Sequence, residues 1–206
     1  MLACMGLPIL AWVFIKPYLL QAIQLKPVKK QLRDFKYNAE FFEKALTREM
    51  KYALLSEEDS IILGNREAEL VITMVSNPYC KPCARAHKTL DEWLAVRDDI
   101  KLQMVFTPPD AKDPKWEVAS HLMSLKLTQD DPSLKRALDD WYGKKYKNYA
   151  AWAKHYRVKE DVVNVELLKR QAGWCKMTKV TSTPTVFING RKLPPNYQPE
   201  DIKYFI

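Results

Sequence analysis

The sequence predicts an α/β fold in which a central mixed sheet is flanked by helices and interrupted by a helical insertion. A strand–helix–strand pattern covers Leu70–Phe106, no strand pattern occurs between Asp113 and Met177, and a strand–turn–strand pattern follows at Thr185–Leu193. Only 5 of the 206 residues are glycine, which argues against a turn-rich all-β protein. The length suits one domain of ordinary size and an additional segment at one end.

The first half of the predicted sheet surrounds one long helix. Ser60–Leu63 predicts a short strand, and the β-branched run Leu70–Val75 predicts a buried one. Cys80–Val96 has helical periodicity, and Lys101–Phe106 predicts the next strand. A strand, a helix and a strand at this spacing form a unit with two parallel strands and a right-handed crossover.

The insertion, at about residues 113–177, is predicted to be entirely helical. Its helices are expected at Trp116–Leu127, Ser133–Tyr142, Tyr149–His155 and Val162–Cys175. After it, Thr185–Ile188 predicts a strand, Asn189-Gly190 a two-residue hairpin turn and Arg191–Leu193 the returning strand. Gln198–Ile206 predicts a short closing helix.

The N-terminal segment differs in composition from the rest of the chain. Met1–Ile15 is uncharged, and after Lys16 the run Pro17–Leu25 is uncharged again, close to the ~20 apolar residues that cross a bilayer. We interpret residues 1–25 as a transmembrane helix or anchor. A cleaved signal peptide is the alternative, but no basic residues precede the apolar stretch and no clear cleavage site follows it.

A basic helical connector is predicted at residues 26–59, between the anchor and the domain, with one helix over roughly Pro27–Leu55. Its lysines and arginine near the apolar segment suit lipid headgroups. The polar run Ser56–Ser60 then interrupts the helical pattern, so the α/β domain is predicted at residues 60–206. No internal repeat is visible.

The net charge of +8 does not by itself indicate a nucleic-acid-binding protein, because 25 acidic residues are interspersed among 33 basic ones. Aromatic residues with lysines between them occur late in the insertion, at Tyr142, Tyr146, Tyr149, Trp152 and Tyr156. Their spacing is close to helical, so we interpret them as helix-packing residues rather than as base-stacking residues. No nucleic-acid partner is expected.

The residues Cys80-Lys81-Pro82-Cys83 lie where the buried strand turns into a helix. The N-terminus of a helix carries partial positive charge and free N–H groups, which favour a thiolate over a thiol. Cys80 lies nearest to this charge, and Cys83 follows one turn later, where it can attack a disulfide formed on Cys80. Lys81 adds positive charge and Pro82 suits the first helical turn, so both are predicted to tune the thiol.

A metal site is the alternative for these cysteines. Cys80, Cys83 and His87 would lie on about one face of a helix, as a three-ligand site requires. A structural zinc site normally needs four ligands, and no second pair of ligands follows in the sequence. A metal-binding or metallochaperone module is therefore the weaker hypothesis, and no metal or other cofactor is expected.

The second signature is Thr183-Pro184-Thr185, directly before a predicted core strand. Proline cannot donate to a strand ladder, and an X-Pro bond is the place where the cis form costs little. We therefore predict a cis Thr183–Pro184 bond. The remaining cysteine of the domain, Cys175, is either a third redox cysteine or a small buried residue, and the second interpretation is preferred.

Together with the Cys80–Cys83 motif, the Thr183–Pro184 pair resembles the thioredoxin superfamily. In that superfamily a cis-proline loop lies against the cysteine pair and offers backbone groups to a bound peptide, which implies a substrate-binding role for Thr183 and Pro184. Tyr79, next to Cys80, is expected to take part.

A narrower resemblance rests on NPYCKPCARAH, on DWY in the insertion, on WC before TPTVFING and on the terminal LPxxYxxEDIKYF. These segments resemble the DsbA-like thioredoxin domain fused to vitamin K epoxide reductase family membrane proteins of some bacteria. The resemblance covers roughly Ser60–Ile206, and residues 1–25 resemble only the last membrane helix of such a protein.

The resemblance implies a membrane-tethered thiol–disulfide oxidoreductase that faces the periplasm from the inner membrane. It would act on cysteines of exported proteins, with a quinone-linked redox partner in the membrane. Lysines after the apolar run oppose a periplasmic orientation, since positive charge favours the cytoplasmic side. The motif leaves the redox direction open, and a structural partner platform remains a third hypothesis.

Overall fold

The computed structural model describes residues 2–107, 113–145, 148–158 and 165–206, with the backbone alone for residues 2–10 and Ala22. Contacts divide the chain into two units. The smaller contains residues up to 45 and Lys203–Ile206, and the larger is Leu46–Ile202. The predicted domain boundaries at residues 25 and 59 stay predictions.

The larger unit contains one five-stranded mixed sheet, as predicted. Its strands are β1 (Ile61–Gly64), β2 (Leu70–Ser76), β3 (Ile100–Phe106), β4 (Thr185–Ile188) and β5 (Arg191–Lys192). They are arranged in the order β1-β3-β2-β4-β5. Only β2 and β3 pair in parallel, with Leu70 opposite Ile100, while every other neighbouring pair is antiparallel. The central position of β2 explains its continuous apolar run, because both of its edges and both of its faces are covered.

Seven α-helices and one closing 3₁₀-helix lie in the described parts of the chain. They are α1 (Leu2–Lys36), α2 (Ala39–Arg48), α3 (Lys81–Leu94), α4 (Pro114–Thr128), α5 (Asp131–Tyr142), α6 (Tyr149–His155), α7 (Val165–Met177) and the 3₁₀-helix Pro199–Tyr204. The described residues of the insertion contain no strand, as expected. The first residues of its last predicted helix, 162–164, lie outside the described residues.

The N-terminal helices differ from the prediction of one helical connector over Pro27–Leu55. Helix α1 extends to Lys36, and α2 begins anew because the Oδ1 of Asn38 accepts a hydrogen bond from Phe41 N at 3.1 Å. Helix α2 ends at Arg48, seven residues earlier than predicted. The membrane helix predicted at residues 1–25 is not confirmed: of the helices in the described residues, none combines the length and apolarity that crossing a bilayer requires.

The core positions α3 against the end of β2. The helix buries Cys83, Ala86, Leu90 and Trp93 on the side that faces the sheet, whereas Met74 and Val75 of β2 are fully buried. The periodicity predicts that Ala86, Leu90, Trp93 and Leu94 face inward; the first three are buried, whereas Leu94 is half-buried. Because β2 and α3 are anchored by apolar burial, the turn between them, residues 77–80, is held at the end of the sheet.

The hairpin between β4 and β5 is the predicted two-residue turn. Asn189 and Gly190 have positive φ angles of 47° and 82°, which a type I′ turn requires. A Cβ atom on Gly190 would collide with the carbonyl oxygen of Tyr52, whose N–H donates to Gly190 O at 2.9 Å. Glycine is therefore required here by both the turn and the neighbouring backbone.

Candidate active site

The turn that follows β2 places Cys80 at the N-terminus of α3. Asn77 organises this turn, since its Oδ1 accepts from Tyr79 N at 2.9 Å and its carbonyl oxygen accepts from Cys80 N at 3.0 Å. Cys80 has extended backbone angles and is the N-cap of the helix, so α3 begins one residue later than predicted and ends at Leu94. Pro82 lies in the first turn, where a missing N–H costs no intrahelical bond.

The two cysteines of the motif have different environments. Cys80 is half-buried, and its Sγ accepts a hydrogen bond from Cys83 N at 3.3 Å, so a helix N–H points at this sulfur. Cys83 is completely buried, and burial, with a smaller contribution from the Cys80 side chain, raises its pKa to about 11. Both are free cysteines. The accessible sulfur is therefore that of Cys80.

The loop before β4 lies against Cys80. The Thr183–Pro184 bond is cis, as predicted, and the Cys80 thiol donates to Thr183 O at 3.4 Å, which places the loop beside the thiol. Thr185 follows as the first residue of β4. The backbone of this loop is thus within contact distance of any group bound to the Cys80 sulfur.

The other predicted site residues surround the motif. Lys81 and Pro82 are exposed at the start of α3. Tyr79 is 50% exposed, and its ring meets the ring of Trp141 edge-on with 5.4 Å between centroids. The tuning role of Lys81 and Pro82 and the substrate-binding role of Tyr79 stay predictions.

His87 does not form a metal site with the cysteines. Its ring is buried and stacks on Tyr142 at 4.8 Å, and its Nε2 lies 3.8 Å from a carboxylate oxygen of Asp139. Burial lowers the pKa of this imidazole. No group of three or more His, Cys, Asp or Glu side chains within the described ranges is arranged to hold a metal ion. The metal-binding alternative therefore finds no support.

Cys175 packs as a core residue. It is 6% exposed and belongs to an apolar cluster with Val75, Val105 and Phe187. Burial raises the pKa of its thiol to about 12. These surroundings favour the structural interpretation over a third redox cysteine.

The aromatic residues of the insertion serve both packing and the site. Trp152 is fully buried and its indole N–H donates to Ala137 O at 3.0 Å, in agreement with the helix-packing interpretation. In contrast, a cleft beside Cys80 is lined by Trp141, Tyr142 and Tyr149. Their helical spacing could not reveal this, because spacing shows which residues share a face but not what lies opposite it. Tyr146 lies outside the described residues.

Comparison with known proteins establishes the family. A thioredoxin family model (Thioredoxin_4) matches residues 56–206, so the chain belongs to this thioredoxin family. A search of curated protein sequences finds no match. The narrower resemblance to domains fused to vitamin K epoxide reductase family proteins stays a prediction.

Solved structures share the fold at low sequence identity. The catalytic domain of Proteus mirabilis ScsC aligns with a TM-score of 0.62 and 17% identity, over 80% of this chain and 96% of that one. A periplasmic thioredoxin-like protein from Salmonella enterica serovar Typhimurium aligns with a TM-score of 0.61 and 11% identity, over 80% and 93%. The thiol-disulfide exchange protein α-DsbA2 from Wolbachia pipientis aligns with a TM-score of 0.58 and 10% identity, over 85% and 95%.

Proposed function

We propose that the protein is a thiol–disulfide oxidoreductase that exchanges disulfides with cysteine-containing protein substrates through Cys80 and Cys83. One observation carries the proposal: an accessible sulfur at a helix N-terminus lies against a cis-proline loop, with a second, buried thiol one turn below it. Family membership and the Wolbachia neighbour, itself a thiol-disulfide exchange protein, support the same chemistry.

The exchange proceeds in two displacements. The Cys80 thiolate attacks one sulfur of a substrate disulfide, so a Cys80–substrate disulfide forms and the other substrate sulfur leaves as a thiolate. Cys83 then loses its proton and attacks the Cys80 sulfur, which forms the Cys80–Cys83 disulfide and releases the second substrate thiolate. Two electrons pass from the protein to the substrate. The reverse sequence oxidises a substrate dithiol, and the reduction potential decides which direction prevails.

Each neighbour of Cys80 has a role in these two displacements. The N–H of Cys83 stabilises negative charge on the Cys80 sulfur. Burial keeps Cys83 protonated until its attack, which limits reaction with outside thiols and disulfides. The carbonyl of Thr183 is beside the sulfur, where it can accept a backbone N–H from the substrate.

Trapping of the mixed disulfide tests the two roles. Cys83→Ser should accumulate reductant-sensitive adducts at Cys80, because the attack that releases the substrate is lost. Cys80→Ser should be inactive in insulin reduction and accumulate few adducts. Non-reducing electrophoresis and mass spectrometry measure the adducts, and Cys175→Ala is the matched control. Equal trapping by both cysteine variants, or full activity of Cys80→Ser, would overturn the assignment and favour a structural partner platform.

We further propose that the domain acts in the periplasm and is tethered by residues 1–25, with a quinone-linked partner in the membrane. The uncharged N-terminal run and the narrower family resemblance support the tether, and the periplasmic Salmonella neighbour is consistent with the compartment. Protease treatment of intact spheroplasts tests the compartment: digestion of the domain is expected, and protection refutes it. Extraction at alkaline pH tests the tether, since release of the full chain from membranes would refute it.

A further inference from the structure

A cleft of about 540 Å³ opens directly beside Cys80, on the side of the helical insertion. Its lining includes Tyr79, Cys80, Lys81, Trp141, Tyr142, Lys144 and Tyr149. Four of these residues are aromatic. A volume of this order is typical of sites that enclose a ligand group of side-chain size or larger.

The aromatic walls of the cleft are held in place by hydrogen bonds. Trp141 donates its indole N–H to Pro78 O at 2.8 Å, which leaves the ring positioned edge-on against Tyr79. The hydroxyl group of Tyr149 lies 3.1 Å from Nδ1 of His121. Burial raises the pKa of both Tyr79 and Tyr149, so these phenols are neutral in the cleft. The surface is therefore pre-organised to pack against a flat apolar group.

The charged groups of the lining are all basic. Lys81 and Lys144 are exposed at the rim, and the residues that line the described cleft include no carboxylate. Neither lysine has an ion-pair partner among the described residues. Two carboxylates outside the lining, Glu117 and Asp113 at the start of α4, act electrostatically on Tyr79, and Glu117 also acts on Tyr149. An occupant with a carboxylate would find two ammonium groups at the mouth.

Because this cleft adjoins Cys80, we infer that the cleft is a specificity subsite for substrate polypeptides. These substrates carry an aromatic side chain and a carboxylate next to the reacting cysteine. The inference rests on the proposed function and names its substrate class. The occupant is a polypeptide because the sulfur also contacts the Thr183–Pro184 loop, where a backbone can bind. The substrate side chain enters the aromatic cleft while its cysteine is joined to Cys80.

A two-by-two set of peptides tests the inference. Each peptide contains one cysteine as its mixed disulfide with 2-thiopyridine, with tryptophan or alanine on one side and glutamate or lysine on the other. The Cys80 thiolate of full-length Cys83→Ser protein attacks the peptide sulfur, the weakly basic pyridine-2-thiolate leaves, and mass spectrometry follows formation of the peptide adduct at Cys80. The tryptophan–glutamate peptide should react roughly fivefold to tenfold faster than the alanine–glutamate peptide, as expected for one aromatic contact, and it should also react faster than the tryptophan–lysine peptide.

Variants in the Cys83→Ser background assign the preference to the cleft. Tyr79→Ala should reduce the tryptophan-to-alanine rate ratio to near unity, whereas Tyr204→Ala, a comparably exposed tyrosine at 54%, should leave it unchanged. Lys144→Glu should reverse the preference for glutamate over lysine, and the exposed Lys154→Glu should not.

The outcomes separate this inference from the proposed function. Equal rates for all peptides, or ratios that Tyr79→Ala and Lys144→Glu leave intact, would overturn the subsite while thiol exchange at Cys80 stands. Failure of every peptide to form an adduct would overturn the proposed function and the subsite with it.

Discussion

The different burial of the two cysteines predicts a large difference in their alkylation by iodoacetamide. Cys83 is 0% exposed and its pKa is raised to about 11, so at about pH 8 roughly one molecule in a thousand carries its thiolate. The Cys80 sulfur is partly accessible and receives a helix N–H. Modification at about pH 8 should therefore occur at Cys80 and leave Cys83 unmodified.

The pH dependence of the alkylation rate at Cys83 makes this prediction quantitative. Because the thiolate is the nucleophile, its alkylation rate should rise about tenfold for each pH unit up to about pH 11, provided that the protein stays folded. Quenched time courses, tryptic digestion and mass spectrometry give the rate at each cysteine of the reduced wild-type protein. Circular dichroism at each pH is the control for unfolding. A plateau of the Cys83 rate near pH 8 to 9, about the ordinary thiol range, or equal modification of both cysteines, would refute the reasoning.

Two further predictions concern residues around the site. The hydroxyl of Tyr142 and the Oγ of Ser76 lie 2.5 Å apart and are buried, so Tyr142→Phe or Ser76→Ala alone should reduce the free energy of unfolding by about 1–3 kcal/mol. The double variant should lose less stability than the sum of the two single losses. Urea titration of the wild type and the three variants measures this double-mutant cycle, and additive losses would contradict the hydrogen bond. Cys175→Ala should retain the rate of insulin reduction, because this thiol belongs to the core cluster, although a lower midpoint in urea is expected. A loss of activity without a loss of stability would instead make Cys175 a redox residue.

Local patterns in the sequence determined the α/β alternation and the position of the cysteine motif. The period of apolar residues and the turn chemistry of Asn189-Gly190 depend on neighbours along the chain, and β4 has the predicted bounds. The location of Cys80 at the start of α3 follows from the same local rules, since a buried strand ends, a short turn follows and proline occupies the first helical turn; the structure makes Cys80 the N-cap rather than the first helical residue. Proline before a core strand likewise indicated the cis bond of Pro184.

The periodicity of the sequence was less informative where two structural interpretations predict the same spacing of residues. The apolar and basic N-terminal stretch has helical spacing throughout, and only the Asn38 cap divides it into α1 and α2. His87 shares a helix face with Cys83, yet contacts from α5, at Tyr142 and Asp139, account for its surroundings. Helical spacing shows that residues share one face of a helix, but the element that packs against that face comes from elsewhere in the chain.

Only the tertiary structure decided which surfaces adjoin the Cys80 sulfur. Trp141 and Pro78 are 63 residues apart, and Cys80 and Thr183 are 103 apart, yet each pair is in contact. The complete burial of Cys83, and with it the high pKa of its thiol, also arises from packing by distant segments. Such contacts are set by how apolar faces of separate elements cover one another, a condition that no short window of sequence contains. The sequence by itself therefore located the cysteine pair that we propose to react, and the folded chain supplied the difference between its two members and the aromatic cleft beside them.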